Sequence, residues 1–367
     1  MPEKTRVCVL FGGRSCEHEV SVTSARCVLE AIDQDKYDVT MIGISKEGRW
    51  LMADDALGIL QAGVVEDDAL PPVLLDYPGT RELVVQNPGQ LAAAHQPVDV
   101  VLPLLHGPYG EDGTVQGLLD LADVAYVGAG VLGSAVSMDK EMTKKIFHFE
   151  GLPQVDYAIV RRPRWRAEPE AVQRQIEAQF DYPLFVKPVN MGSSVGVTKA
   201  RDSGELRAGM DEAASYDLKI LVEAEATNCR EIECAILGNE DPQASVVGEI
   251  DPGAEFYDYD TKYVDDTSQL FIPARLSEAA AEQVRQMALK AFRAVEASGL
   301  ARVDFFVSRD DESIYINEIN TMPGFTPISM YPKLWQASGI GYGELIDRLI
   351  QLALERHTER QDLRTAL

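Results

Sequence analysis

The chain has 367 residues, enough for two or three domains of roughly 100–200 residues each. With 46% hydrophobic and 25% charged residues it reads as an ordinary soluble globular protein with sizeable cores. Its 59 acidic and 34 basic residues leave a formal net charge of −25, which opposes nucleic-acid binding by the chain as a whole. Small phosphates remain open, because a few local lysines or arginines can hold them. The five cysteines are scattered without a CxxC pair, which predicts reduced cytoplasmic thiols rather than a disulfide framework or a zinc site. The opening residues lack a signal-peptide pattern. The most apolar later stretch, 117–138, is broken by Asp120 and Asp123, so no membrane span is expected.

Residues 7–11 form a short apolar run that Gly12 and Gly13 break. Ala25, Val28, Leu29 and Ile32 then recur at helical spacing, predicting strand, glycine turn and helix. A second apolar strand over 98–105 runs into the loop HGPYGEDG at 106–113. This alternation predicts a parallel α/β sheet over about the first 135 residues, with ligands favoured at the carboxyl ends of its strands. Residues 50–95 are mixed in pattern. Ser137 is placed to cap a helix running through Met142, Ile146 and Phe147 to Gly151. Strands over 184–187 and 219–223, with a glycine-serine loop at 190–196, predict a small second α+β unit. After Ser277, the residues Val284, Met287, Ala288, Ala291, Phe292 and Val295 line one helical stripe that Gly299 is placed to end. Strands over 302–307 and 314–320 follow, and Leu345, Ile346, Leu349 and Ile350 mark a final amphipathic helix.

Those last two strands hold the most informative geometry. If Asp304 pairs with Glu318, the same register sets Arg302 opposite Asn320 and leaves a five-residue turn at 309–313. Opposed side chains on one face have Cβ atoms about 4.5–5.5 Å apart, so the two carboxylates repel unless a cation or a proton lies between them. With Asn320 they offer hard oxygen ligands suited to magnesium or manganese. The plainer alternative is two solvated carboxylates, but Val303, Phe305, Phe306, Ile316 and Ile319 place the pair near a core.

The loop KPVNMGSSVG, 187–196, sets Lys187 beside glycines and serines whose N–H and hydroxyl groups suit a phosphate. It lacks the P-loop spacing, and a flexible surface hairpin would read the same. The segment FYDYDTKY, 256–263, either closes over a site and excludes water or is an ordinary packed surface loop. Residues 12–21 lack the GxGxxG arrangement, which disfavours a dinucleotide site. Glu17 there either binds an ammonium or favours the helix N-terminus electrostatically.

Together these segments resemble the D-alanine–D-alanine ligases of the ATP-grasp superfamily. The matching stretches are FGGRSCEHEVS (11–21), LHGPYGEDGTVQG (105–117), SMDK (137–140) and VKPVNMGSSVGV (186–197). EIECAILGN (231–239), FYDYDTKY (256–263), ARVDFF (301–306) and NEINTMPGFTPISMYPKLW (317–335) continue them in the family's order.

The resemblance implies a three-domain α/β ATP-grasp ligase. Its parts are a parallel α/β domain at 1–137, a small central α+β domain at 138–230, and a C-terminal α+β domain at 231–367 with a lid loop over about 251–269. The implied reaction joins two D-alanines through a D-alanyl phosphate at the expense of ATP, for peptidoglycan precursor synthesis, in a cytoplasmic homodimer. Lys140 and Lys187 resemble the phosphate-binding lysines, and Ser193 and Ser194 the loop over the phosphates. Glu231 would hold the ribose, Glu223 and Ala226 the adenine edge, and Phe306 would pack on the ring. Asp304, Glu318 and Asn320 resemble the ligands of two Mg2+ or Mn2+ ions.

On the substrate side the resemblance gives Glu17 the ammonium of the first D-alanine, with His106 near it. Glu17, Ser193 and Tyr263 form the family's hydrogen-bonded triad. Lys262, also near ATP, and Ser329 with the Met330 backbone would hold the second carboxylate. Arg302 and the Gly324 amide would face the oxyanion. The chain departs from the family in one extra residue between Glu223 and Glu231, and in Ala224 where a lysine is common. Rival readings are a D-alanine–D-lactate or D-alanine–D-serine ligase and a non-catalytic nucleotide-binding sensor. The DYDTKY context of Tyr263 favours the dipeptide former.

Overall fold

The chain opens with β1 (Thr5–Gly12), α1 (His18–Ala31), β2 (Tyr37–Ile44) and β3 (Trp50–Met52) in a computed structural model that describes residues 4–52, 57–58, 73–75, 82–85, 94–251 and 269–364. Next come β4 (Val73–Leu75), β5 (Glu82–Val85) and β6 (Ala94–Pro97), a separate antiparallel sheet within the stretch of mixed pattern. β7 (Val100–Leu104), α2 (Thr114–Leu121) and β8 (Ala125–Tyr126) complete the first unit. Its sheet has the order β3-β2-β1-β7-β8, parallel throughout except for the β3 edge. β1 is a continuous apolar run because both of its faces are covered. Val7, Val9 and Phe11 pack toward α1, while Cys8 and Leu10 join Val115 and Leu119 of α2 on the other side.

Two helices, α3 (Val131–Met138) and α4 (Lys140–Phe149), lead into the second unit. The expected cap differs here. Ser137 lies buried in the last turn of α3, and Asp139 caps α4 instead, accepting from the Met142 N–H at 3.1 Å. The chain bends at Asp139, whose extended backbone lets its carboxylate turn back to a free N–H. After α4 come β9 (Tyr157–Arg161), α5 (Arg162–Ala167), α6 (Pro169–Glu177), β10 (Leu184–Pro188), β11 (Thr198–Ala200), α7 (Ser203–Tyr216) and β12 (Lys219–Ala224). The four strands form an antiparallel sheet of order β11-β10-β12-β9.

The rest comprises β13 (Cys229–Gly238), β14 (Gln243–Asp251), β15 (Gln269–Phe271), α8 (Glu278–Ala294), β16 (Gly299–Ser308), β17 (Ile314–Asn320), α9 (Met330–Ala337) and α10 (Tyr342–Gln361). The strands form a five-stranded antiparallel sheet, β15-β14-β13-β16-β17. The stripe on α8 covers one face of it, packing Val284, Ala288 and Phe292 against Ile232, Val303 and Phe305. Gly299 does not end that helix. The helix stops at Ala294, Glu296 takes the left-handed turn, and Gly299 starts β16 where a Cβ would come within 3.2 Å of the Gly128 backbone. The last helix returns to the beginning, its Leu345, Ile346, Leu349 and Ile350 sharing one core with Val7, Val9 and Phe11. Among the described residues no helix is long and apolar enough to cross a membrane.

Candidate active site

The face of the five-stranded sheet opposite α8, part of which α9 covers, carries the charged constellation. Along β16, Val303, Phe305 and Val307 point into the core, so Arg302, Asp304 and Phe306 share the opposite face. The register pairs Arg302 with Asn320 and Asp304 with Glu318, as expected, and on the other flank Asp304 with Glu233 and Phe306 with Glu231. Past Asp304 the expected register fails, because a bulge at Asn317 shifts the pairing to Phe305–Ile316. Ser308 therefore bonds to Ser313, and the turn is shorter than expected, at 309–312.

Arg302 grips Asp304 with two hydrogen bonds of 2.7 Å and reaches Glu233 at 3.1 Å. Burial opposes its charge, but Asp304, Glu233 and Glu318 raise its pKa well above the usual value. Asn320 donates to Asp304 at 3.0 Å, and the Lys140 ammonium lies 3.5 Å from Glu318. Among the described residues no three His, Cys, Asp or Glu side chains are grouped to hold a metal. The donor set here is instead two opposed carboxylates and an amide oxygen, which fits a hard divalent cation completed by phosphate or water oxygens.

This face and the four-stranded sheet enclose a cavity of about 430 Å³. It is lined by eight of the residues expected around ATP (Lys140, Lys187, Ser193, Ser194, Glu223, Ala226, Glu231 and Phe306) together with Glu318. On β10 the alternation turns Phe185 and Lys187 inward, and β12 sets Glu223 opposite Phe185. Helix α4 presents Lys140 and Lys144 one turn apart. Lys140 donates to the Met191 carbonyl at 2.8 Å, tying down the glycine-serine loop. Glu223 is enclosed between Lys187, in close contact, and Lys144 at 2.5 Å. Burial pushes the Glu223 carboxyl up, but the two lysines hold it at about 2. Burial likewise works against the Lys187 charge, which Glu223 and Glu318 more than restore.

Ser193 and Ser194 both adopt left-handed backbone conformations, so the loop folds back on itself. Ser193 hydrogen-bonds to the Glu17 carboxylate. Glu17 occupies the N-cap position of α1 but makes no side-chain cap. A Cβ on Gly192 would meet its Oε2 at 2.9 Å, and one on Gly107 at 2.8 Å, so two glycines let the loops close around this carboxylate. His106, at the end of β7, is buried and its Nδ1 bonds to the Met322 carbonyl at 3.0 Å. Burial lowers its pKa against the opposing pull of Glu17. Glu111 accepts from the Gly107 N–H at 2.7 Å and the Met322 N–H at 3.1 Å. Burial and the Glu17 charge push it up to about 8.

Beyond β17, Ser329 stands at the N-cap of α9 and its hydroxyl meets Thr326 at 2.8 Å. A Cβ on Gly324 would touch that hydroxyl at 3.1 Å, and Met330 is buried. Lys262, Tyr263 and the expected lid lie outside the described residues, apart from the ends of β14 and β15. Sequence reading passed over Lys144, Glu111 and Glu233. Lys144 carried a signal, the helical i+4 spacing from Lys140; Glu111 lay inside a segment already singled out.

Two family models match the chain, D-ala D-ala ligase N-terminus over residues 6–129 and D-ala D-ala ligase C-terminus over residues 146–351. The D-alanine–D-alanine ligase of Acetivibrio thermocellus is 51% identical, covering 98% of each chain. That of Ruminiclostridium cellulolyticum is 52% identical, covering 97% of each. Among solved structures, the D-alanine–D-alanine ligase from Coxiella burnetii is similar with a TM-score of 0.84 at 39% identity, covering 98% of this chain and 96% of that one. The VanG D-Ala:D-Ser ligase from Enterococcus faecalis has a TM-score of 0.84 at 35% identity, covering 96% of this chain and 100% of that one. The family models cover most of the chain and the curated relatives nearly all of it, in agreement with the site geometry: the chain belongs to the D-alanine–D-alanine ligase family.

Proposed function

We propose that this ligase binds ATP in the cavity, holds the first D-alanine beside Glu17, and forms D-alanyl-D-alanine through a D-alanyl phosphate. The observation that carries the reading is the Glu17–Ser193 hydrogen bond, which joins the amino-acid end to the phosphate loop. Three domains, 1–137, 138–230 and 231–367, frame this arrangement.

In this reading Glu17 takes the ammonium of the first D-alanine, beside a neutral His106. The carboxylate of that D-alanine attacks the γ-phosphate, a meeting of anions that Lys140, Lys187 and the Ser193–Ser194 loop make possible by neutralising and orienting the phosphates. The bond to the β-phosphate breaks and ADP leaves. Glu231 holds the ribose, Glu223 and Ala226 meet the adenine edge, and Phe306 packs on the ring. Asp304, Glu318 and Asn320 would hold two magnesium or manganese ions, which supply further charge neutralisation when bound. The neutral amine of the second D-alanine then attacks the acyl carbon and phosphate leaves. Arg302 and the Gly324 N–H face the oxyanion, while Ser329, the Met330 N–H and Lys262 hold the second carboxylate. Lys262 and Tyr263, in the proposed lid, keep water from the acyl phosphate.

A cytoplasmic homodimer completes the proposal. The exposed Leu118 and Leu121 of α2 and Leu132 of α3 support a second copy as partner, and the net charge of −25 speaks against nucleic acid.

The test is phosphate release with ATP, magnesium and D-alanine, with products identified by mass spectrometry. Dipeptide from the parent and roughly 100-fold less from Glu318→Gln is expected, in line with loss of a group that stabilises transferring phosphate. Equal turnover with D-serine or D-lactate at pH 7 would move the reading to the rival ligases. No D-alanine-dependent phosphate release from folded protein would move it to the sensor.

A further inference from the structure

Lys144 has no part in the reaction just described. It sits on α4 one turn beyond Lys140, its side chain is 2% exposed, and it is not among the cavity-lining residues. Its ammonium meets Glu223 Oε1 at 2.5 Å and lies 5.2 Å from the centre of the Tyr157 ring. The other oxygen, Oε2, is held by Lys187. Two lysines therefore share one enclosed carboxylate, and Lys187 is also drawn toward Glu318 across the cavity.

The two lysines are not equivalent. Lys187 lines the cavity and can swing toward a ligand there, whereas Lys144 lies behind Glu223 with its charge against an aromatic face. A carboxylate out of water must keep a cationic partner, because removing one member of a buried pair is strongly unfavourable. Lys187 can thus turn to a phosphate only if another cation stays with Glu223. We propose that Lys144 is that cation, a positioning residue that keeps Glu223 ionised and aimed while it releases Lys187 to the phosphates of ATP. The exchange moves no proton and breaks no covalent bond. Lys187 passes from carboxylate to phosphate, and Glu223 goes from two cationic partners to one. The inference rests on the proposal that the cavity binds ATP.

The test is calorimetric titration of the full chain with magnesium-ATP and, separately, adenosine, using parent, Lys144→Met, Glu223→Gln and the double variant. Lys144→Met is expected to weaken ATP binding roughly 30-fold, because Lys187 must then stay with Glu223. Adenosine, which asks nothing of Lys187, should change less than about threefold. In the Glu223→Gln background the neutral amide no longer needs a cation, so adding Lys144→Met should weaken ATP little further. An unchanged ATP affinity in Lys144→Met overturns the inference. Equal losses for ATP and adenosine overturn it too, since they mark a merely structural lysine, as does an undiminished loss in the Glu223→Gln background. If Lys144→Met does not fold, Lys144→Arg keeps the charge and should bind ATP like the parent; a selective loss of ATP there refutes the exchange. Absence of ATP binding by the folded parent is a separate outcome that removes the ATP reading and this inference together.

Discussion

Glu223, at the proposed nucleotide end, is buried and Glu111, at the proposed amino-acid end, is partly so, and burial pushes both upward in pKa. Lys144 and Lys187 nevertheless hold Glu223 at about 2. Glu111 rises to about 8, because burial and the Glu17 carboxylate outweigh the opposing Gly107 and Met322 N–H groups and Lys140. Burial acts on both; the sign of the neighbouring charge separates them. The division follows the proposed ligands, since one end stores cations for a polyphosphate and the other stores carboxylates around the place of an ammonium.

The strongest way to break this contrast is to make Glu223 resemble Glu111. Replacing both lysines, Lys144→Met with Lys187→Met, should lower stability at pH 7 by roughly 3–5 kcal/mol. In the parent the folded pKa of Glu223 lies below its ordinary 4.5, so its contribution is present above about 4.5 and lost as pH falls toward about 2. Without the lysines its pKa rises, the sign reverses, and the deficit should shrink as the pH is lowered from 8 to 5. Urea unfolding across that range checks it; a deficit independent of pH would show that partner charge does not govern Glu223.

A smaller effect sharpens the boundary between the two ends. Ser193→Ala removes the hydrogen bond to the Glu17 carboxylate, and bonds to charged groups contribute about 1.5–3 kcal/mol. The KM for the first D-alanine should rise at least about tenfold, with a lesser change for ATP. Steady-state kinetics with each substrate varied in turn decide the matter, and a change confined to ATP would place Ser193 wholly at the nucleotide end.

The last test concerns Glu111 itself. Its folded pKa of about 8 exceeds the ordinary 4.5, so its contribution is fully present below about 4.5 and lost as pH rises through about 8. Glu111→Gln cannot titrate. The parent's advantage over this variant should be largest at the acid end of the range and decline by roughly 3–4 kcal/mol between pH 5 and pH 8, read from urea midpoints. A constant difference would mean that Glu111 is ionised throughout and that the contrast with Glu223 is false.

The hairpin of β16 and β17 was legible because period-two alternation and the opposed carboxylates constrain one register. The bulge at Asn317 was not, since an extra residue in one strand leaves the apolar pattern on either side intact. Asp139 took the cap expected of Ser137, because both residues suit the position and only the bend between α3 and α4 chooses between them. The matching loops were recognisable through family resemblance, but the role of Lys144, signalled only by its spacing from Lys140, was not. A lysine one turn along a helix reads as a solvated side chain until β12 brings Glu223 beneath it. Glu111 lay in a matching segment, but its setting was not legible, since Met322, which supplies one of its hydrogen bonds, comes from a distant part of the chain.

The sequence by itself determined the opening strand and helix, the β16–β17 hairpin and the apolar stripes of α8 and α10, because backbone geometry repeats every two or 3.6 residues whatever lies nearby. It also determined that Leu345, Ile346, Leu349 and Ile350 need a partner. Only the tertiary structure decided that the partner is the opening sheet, and that the Glu223 carboxyl is held below its ordinary pKa while that of Glu111 is pushed above it. Core pairing and ionisation depend on what the fold brings alongside each group, and those neighbours come from remote segments of the chain.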